Sequence, residues 1–217
     1  MKKFIVITIA LVTLATTNSL AISGFGSSFG NLATAKAMGQ GKGVFGVGVG
    51  IADATSVVGW FNYGLSDYVD GRLKLGLVDA DVGDTEITLG ADFKYQFWSV
   101  NGAVANPLDM AVGGFLEYVD YGPVSALQVG GQLIGSYPFT LQSGTTLSPY
   151  GRFNIRLERR SWDVNYRGFG SSGSDSELEF GLNGGVAWQV SPTVNVYGEF
   201  QIDGNDGIFL GIDFSVL

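Results

Sequence analysis

Apolar and polar residues alternate along most of the chain from Gly41 onward, with the period of two that is typical of β-strands. In the clearest run, residues 86–97, every second residue is apolar and every residue between is polar or glycine. No window after Gly41 offers a convincing amphipathic helical face. The pattern therefore predicts an all-β fold from residue 41 to residue 217.

The alternation predicts ten strands, at residues 43–51, 56–63, 71–78, 86–97, 109–119, 124–137, 152–158, 177–189, 194–202 and 208–216. In the first strand the larger residues alternate with glycines, which puts bulk on one face only. We expect those glycines to admit bulky neighbours on the inner side of the sheet.

Strand length and charge placement indicate a membrane barrel. Several strands reach ten or more residues, near the 9 to 11 that a tilted transmembrane strand needs and above the usual 5 to 6. Charges recur on one face and are almost absent from the other, and a sheet in lipid must close because open edges leave backbone groups unpaired. We predict a closed antiparallel transmembrane β-barrel of about ten strands, with eight possible. A secreted sandwich or a lipocalin-like barrel is the alternative.

Two segments precede the barrel. Lys2 and Lys3 begin a basic and then apolar stretch that ends in Ser19-Leu20-Ala21, so residues 1–21 are predicted to be a cleaved signal peptide. A membrane anchor is the alternative, but the apolar run is shorter than the roughly 20 residues that a spanning helix needs. Residues 22–40 are rich in Gly, Ser and Ala, with a possible short helix from Asn31 to Met38.

The amino-acid composition limits the kinds of functional site that the chain can form. The 217 residues include 34 glycines but no cysteine and no histidine, which excludes disulfide scaffolds, thiolate or imidazole metal sites and any histidine base. Glu177 and Glu179 form the obvious carboxylate pair, and we interpret them as solvated or lumenal groups. We predict no enzymatic activity, no metal and no cofactor. The formal net charge of −8 becomes −10 when Lys2 and Lys3 leave with the signal, which makes nucleic acid an improbable partner.

The polar face of the strands is predicted to line the barrel lumen, and interfacial aromatic residues are predicted where alternate strands end on the lipid-facing side. The predicted lumen-lining residues are Arg72, Lys74, Glu86, Asp92, Lys94, Arg152, Arg156, Glu158, Glu177, Glu179 and Glu199. The predicted aromatic girdle consists of Tyr63, Phe97, Tyr137, Trp188 and Phe214.

Connection lengths suggest an orientation. An even number of strands puts both termini on one side, predicted to be the periplasm. Short turns at residues 64–67 and 191–192 fit that side, and the long polar segment 159–175 is predicted to be an external loop. Residues 99–108 and 138–145 are long for periplasmic turns, which keeps the eight-strand count open.

The chain resembles the small outer-membrane β-barrels of Gram-negative bacteria, such as the OmpA transmembrane domain and the OmpX and OmpW type proteins. The resemblance lies in Asn62-Tyr63-Gly64-Leu65-Ser66-Asp67 closing a strand, in Ser191-Pro192-Thr193 before the next strand, and in the apolar last strand. The chain departs from these proteins at Leu217, where an aromatic residue is usual. The resemblance implies an outer-membrane location, contact with outer-membrane lipid, and insertion by the assembly machinery.

The resemblance also implies three classes of function: passage of solutes, a structural or adhesive role, and hydrolysis. Familiar barrel enzymes rely on a histidine, which this chain lacks. We expect a small porin-like channel for passive passage of ions or small solutes. If strands eight and nine pair about Ser191, Glu179 faces Asp203, and this acidic mouth predicts a modest cation preference. The alternative is a non-conducting structural or adhesive barrel that binds partners through its external loops, its passage closed by pairing between lumen charges.

Overall fold

The computed structural model describes residues 25–79, 85–100, 108–120, 124–166 and 169–216. The predicted signal peptide, residues 1–21, lies outside the described residues. The described residues form strands β1 (Gly43–Ala52), β2 (Thr55–Gly64), β3 (Val69–Asp79), β4 (Glu86–Trp98), β5 (Asp109–Asp120), β6 (Val124–Ser136), β7 (Phe139–Thr140), β8 (Thr146–Tyr166), β9 (Phe169–Ser191), β10 (Val194–Ile202) and β11 (Gly207–Ser215).

The strands form a ring. β1 pairs with β2 on one edge and with β11 on the other, where Val44 faces Ser215 and Ala52 faces Gly207. β7 pairs only with the start of β8, and β6 pairs with β8 directly. Within the described part of the chain the wall is therefore a closed antiparallel barrel of ten strands, so the predicted fold class is confirmed and the eight-strand alternative is wrong.

The alternation in the sequence separates the outer and inner faces of this wall. In β4 the side chains of Leu89 and Phe93 are 49% and 56% exposed, whereas Thr88 and Lys94 are buried at 1% and 6%. The outer face is apolar on every long strand and the inner face carries the charges, because successive strand residues point to opposite sides.

The glycines of β1 make room inside the barrel, as predicted. A Cβ atom on Gly46 would collide with the indole of Trp60, and one on Gly50 would collide with the ring of Phe209. Both aromatic side chains are buried and belong to one apolar cluster within the lumen. The small residues of β1 therefore let large side chains from the neighbouring strands β2 and β11 fill the interior.

β8 and β9 form a hairpin that projects past the rest of the wall. They pair from Thr146 with Gln189 to Tyr166 with Phe169, whereas β6 follows β8 only as far as Trp162. The described residues of segment 159–175, which was predicted as a loop, are therefore paired strand at 159–166 and 169–175. Its Gly and Ser residues give no alternation of apolar and polar positions, but backbone pairing does not require apolar side chains.

We call the end of the barrel from which β8 and β9 project the hairpin end. The opposite end, which carries the β2–β3 and β9–β10 connections, is the turn end.

Residues Phe25–Gln40, which we call the plug, run through the lumen. The structure shows no helix from Asn31 to Met38; the plug is irregular, with bends at residues 28–29 and 35–36. Leu32 has a positive φ of 42°, which a helix does not allow. The path of the plug differs from the prediction that both termini lie on one side. β1 starts and β11 ends at the turn end, but Phe25, the first described residue, lies at the hairpin end. No helix among the described residues is long and apolar enough to cross a membrane.

Candidate functional site

The lumen is the candidate functional site, and its wall binds the plug through the plug's backbone. At the hairpin end the amide of Phe25 donates to Glu158 Oε1 at 2.8 Å. At the turn end the amide of Ala37 donates to the side-chain oxygen of Gln96 at 2.7 Å. Residues 26–32 between these contacts are all buried. The plug therefore fills this stretch of the lumen and spans it from one end toward the other.

Near the hairpin end, side-chain amides and hydroxyls of the wall satisfy consecutive peptide groups of the plug. Gln128 Nε2 donates to the carbonyl of Gly26 at 2.7 Å, and Gln201 Nε2 donates to the carbonyl of Ser27 at 2.8 Å. Ser56 Oγ donates to the carbonyl of Ser28 at 2.7 Å. These bonds matter because a buried peptide group without a partner is costly.

Glu199 holds the centre of the plug. Its carboxylate is 3% exposed and accepts the amide of Asn31 at 2.6 Å on Oε1 and the amide of Leu32 at 2.8 Å on Oε2. Tyr150 and Asn183 donate to the same carboxylate at 2.6 and 2.7 Å. Four charge-assisted hydrogen bonds thus compensate the burial of this acid and stabilise the positive φ of Leu32.

Toward the turn end the wall contacts the plug with cations as well as acceptors. Lys94 Nζ donates to the carbonyls of Thr34 and Lys36, each at 2.8 Å. Ser136 Oγ accepts the amide of Ala35 at 3.1 Å, and Asp70 accepts the amide of Met38 at 3.1 Å. The small plug residues allow this close approach of wall side chains to the backbone.

Two large plug side chains act as apolar anchors. Phe29 and Leu32 are 3% and 2% exposed and pack with Trp60, Phe209 and other buried residues of the wall. The Lys74 ammonium lies 4.8 Å from the centroid of the Phe29 ring, a cation–π contact. The plug thus combines peptide hydrogen bonds with burial of apolar surface.

Most of the wall cations around the plug are paired with acids. Arg72 contacts Asp92 at 2.7 Å, and Lys74 contacts both Asp92, at 3.1 Å, and Glu117. Lys94 contacts Asp70 at 3.2 Å. Buried charges persist only when paired or well hydrogen-bonded, so this network keeps the lumen charged without isolated ions.

A second cluster of charges surrounds the point where the plug reaches the hairpin end. Arg160 contacts Glu158 at 2.8 Å, Glu177 at 2.8 Å and Glu179 at 3.3 Å. Its guanidinium also lies 5.6 Å from the centroid of the Phe25 ring. Arg160 therefore joins the projecting hairpin to the first described residue of the plug.

Asp203, in the β10–β11 connection, is a fully buried acid beside the plug. It accepts the amide of Ser27 at 3.3 Å, and Arg156 Nη1 lies 3.7 Å away. Burial raises the pKa of the Asp203 carboxyl to about 7, because the loss of hydration outweighs the attraction of Arg156.

The structure places nearly all of the predicted lumen-lining residues on the inner face. Two differ in degree, because Glu86 is half-buried and Glu177 is exposed on the projecting hairpin. The buried or largely buried ones are Arg72, Lys74, Asp92, Lys94, Arg152, Arg156, Glu158, Glu179 and Glu199. The predicted girdle residues Tyr63, Phe97, Tyr137, Trp188 and Phe214 are all exposed on the outer face near the turn end.

The predicted pairing of Glu179 with Asp203 is wrong. The hairpin turns at Pro192 and Thr193 rather than about Ser191, because Ser191 itself pairs with Val194. Ile202 therefore lies opposite Leu182 rather than Phe180, and the chain brings Asp203 next to Gly181, where a Cβ atom would lie 2.6 Å from the Cβ of Asp203. The sequence predicts a turn at this point, but it does not determine which pair of residues closes the turn, so the register of the two strands could not be predicted.

The sequence analysis missed several residues that donate to or accept from the plug, and two, Tyr150 and Asn183, that hold Glu199 in place. They carry no charge, or they stand at strand ends where the alternation gives no reason to single them out. All occupy inward positions, which is the signal that could have found them. They are Ser56, Asp70, Gln96, Gln128, Ser136, Tyr150, Asn183 and Gln201.

A cavity of about 310 Å³ remains at the turn end, between the plug and one side of the wall. Its lining includes Trp60, Gln189, Tyr197 and Asp213 from the wall and Thr34 from the plug. A polar space of this size admits water and small solutes. Among the described residues no group of three or more acidic side chains could hold a metal ion.

Comparison with known proteins gives fold neighbours only. No protein family matches the sequence, and no curated protein matches it. Similar solved structures include the N-terminal β-barrel domain of Pseudomonas aeruginosa OprF, at 15% identity over 82% of this chain and 100% of that one, with a TM-score of 0.40. The β domain of the Bordetella autotransporter BrkA gives 14% identity over 82% and 100%, with a TM-score of 0.43.

An outer membrane channel from Pseudomonas putida F1 gives 12% identity over 88% of this chain and 100% of that one, with a TM-score of 0.35. These similar structures are outer-membrane β-barrels. Similarity this low carries no argument about function, and the architecture described here rests on the pairing of the strands.

Proposed function

We propose that the chain is a bacterial outer-membrane β-barrel that forms a small channel for ions or small solutes, closed at rest by the plug. The apolar outer face supports the membrane location, because a soluble protein rarely exposes so much continuous apolar surface. The buried plug is the observation that carries the proposal of a closed channel.

The width of the barrel supports a passage behind the plug. Side chains just fill the interior of an eight-stranded barrel, so a ten-stranded wall leaves additional room. Here the inward glycines of β1 make room for Trp60 and Phe209, and the plug packs against both side chains. Removal of the plug would expose the polar and ion-paired side chains of the wall to water. Side chains of this kind line hydrated passages.

Planar-bilayer recording tests this proposal. The protein with the plug should show low current interrupted by brief openings, whereas a variant without residues 25–38 should conduct steadily. Strand content by circular dichroism and resistance of the wall to protease serve as controls for folding of the variant. A folded variant that passes no current would contradict the channel and favour the non-conducting alternative.

The projecting hairpin favours a second candidate function, a structural or adhesive barrel. β9 extends beyond its last pair with β10, Leu182 with Ile202, so its outer part leaves one backbone edge without a described partner strand. Exposed edges of this kind pair with extended segments of other proteins. Shortening the hairpin should then reduce attachment of cells to a binding surface and leave the current of the channel unchanged.

A further inference from the structure

The wall binds backbone groups along the plug, in addition to the apolar side chains of Phe29 and Leu32. Acceptors of the wall take amides of the plug at Phe25, Asn31 and Ala37, and donors of the wall reach plug carbonyls between these positions. Wall side chains thus supply the peptide-group partners that a neighbouring strand would supply in a sheet. A row of donors and acceptors of this kind can bind the backbone amides and carbonyls of a polypeptide segment.

Shape adds selectivity to this backbone recognition at two glycines of the plug. Gly26 and Gly30 have positive φ values of 66° and 63°, a conformation that L side chains rarely adopt. A Cβ atom on Gly26 would collide with the backbone of Asn205, and one on Gly30 would lie 2.9 Å from the ring of Phe209. The lumen therefore accepts small residues at these points and rejects larger ones.

We infer that the lumen is a binding site for a polypeptide segment with glycine at two fixed positions, and that residues 25–38 are its resident ligand. The ligand lies with its amino end toward the hairpin end, where Glu158 holds Phe25. This inference deepens the proposed function, since it names the ligand class of the same lumen. It concerns binding, however, and does not require the barrel to conduct.

The connection between plug and wall offers a way to test the site in the full chain. Gln40 and Gly41 are exposed in the turn that leads into β1. This short tether gives the plug a high effective concentration, so a free peptide cannot compete while it is intact. Cutting the tether after folding converts the plug into a free ligand without changing the wall.

The experiment uses the full-length protein with a protease recognition sequence inserted between Gln40 and Gly41. The protein is folded in detergent micelles and then cut. We expect the fragment that ends at Gln40 to stay bound during size-exclusion chromatography. It should then exchange with a fluorescent peptide of residues 25–40, seen as a rise in anisotropy.

Two altered peptides and one matched control test whether the site selects glycine at positions 26 and 30. Peptides with Gly26→Ala or Gly30→Ala should bind at least tenfold more weakly than the unaltered peptide. A peptide with Lys36→Ala should bind within twofold, because the Lys36 side chain is exposed. Release of the fragment on cutting without uptake of the labelled peptide would overturn the inference, as would equal binding of the glycine variants.

Current recorded from the same cut sample separates this inference from the proposed function. If the barrel exchanges peptide but passes no current after the fragment is washed out, the channel proposal is contradicted and the binding site is supported. If the barrel conducts after cutting but takes up no peptide, the binding site is contradicted and the channel proposal is supported.

Discussion

Glu199 shows how one buried carboxylate fixes the path of a whole segment. It accepts two adjacent plug amides, and it has no cation within ion-pair distance among the described residues. Replacing Glu199 with Gln keeps the shape but turns one acceptor oxygen into a donor that faces an amide. We expect the plug to be weakened by about 1.5 to 3 kcal/mol, the range for hydrogen bonds to charged groups.

Trypsin cleavage after Lys36 measures this effect. The Lys36 side chain is exposed, but Ala35 and Ala37 on either side are buried, so the protease can bind this bond only when the plug leaves the lumen. Glu199→Gln should be cut faster than the unaltered protein by about one to two orders of magnitude if cleavage follows the open population. Glu177→Gln, on the exposed hairpin, is the matched control and should be cut at the unaltered rate. Equal rates for both variants would show that Glu199 does not hold the plug.

The buried carboxyl of Asp203 gives the barrel a pH dependence. Its pKa of about 7 lies above the ordinary value of 3.8, so the folded state holds the proton that the unfolded state releases. Stability should therefore fall as the pH rises from about 4 to 7, by at most about 1.4 kcal/mol per pH unit, and then level off. Urea unfolding in micelles at pH 5 and pH 8 measures the difference, and Asp203→Asn should reduce it. An unchanged slope in that variant would assign the pH dependence to another group.

At the scale of the element, strands could be predicted from the sequence and the plug could not. Residues 86–97 were predicted as a strand and β4 covers Glu86–Trp98, because an apolar outside and a polar inside leave a period of two. The plug has no such period, since its conformation depends on wall groups such as Glu199 and Lys94 that are distant in sequence. The outer half of the hairpin was missed for a related reason, because its Gly and Ser residues contribute backbone pairing but no apolar pattern.

The orientation of the hairpin gives a prediction at this scale. The chain has no cysteine, so a single introduced thiol reports its own position. Ser174→Cys, exposed on the hairpin, should react with a membrane-impermeant maleimide on intact cells. Ser143→Cys, exposed at the turn end, should react only after the outer membrane is permeabilised. The reverse result would place the hairpin in the periplasm.

At the scale of the whole molecule, the two ends of the barrel differ in charge. Asp53, Asp206 and Glu177 are exposed at the hairpin end, whereas most of the cations inside the wall are paired with acids. Once the plug is out, we expect a modest cation preference, reduced by Glu177→Gln together with Asp206→Asn. Reversal potentials across a salt gradient measure it. Anion preference in the unaltered wall would contradict this expectation.

The plug fills the lumen in this structure, and a reducible disulfide between plug and wall tests whether it closes the passage. Ala35 of the plug and Ala111 of β5 are both fully buried in one apolar cluster, so a disulfide between cysteines at these positions would hold the plug in place. In planar bilayers the oxidised double variant should show no openings, and reductant should restore the brief openings of the unaltered protein. Each single cysteine variant should open irrespective of reductant. Identical current from the oxidised and reduced double variant, with the disulfide verified, would contradict the account.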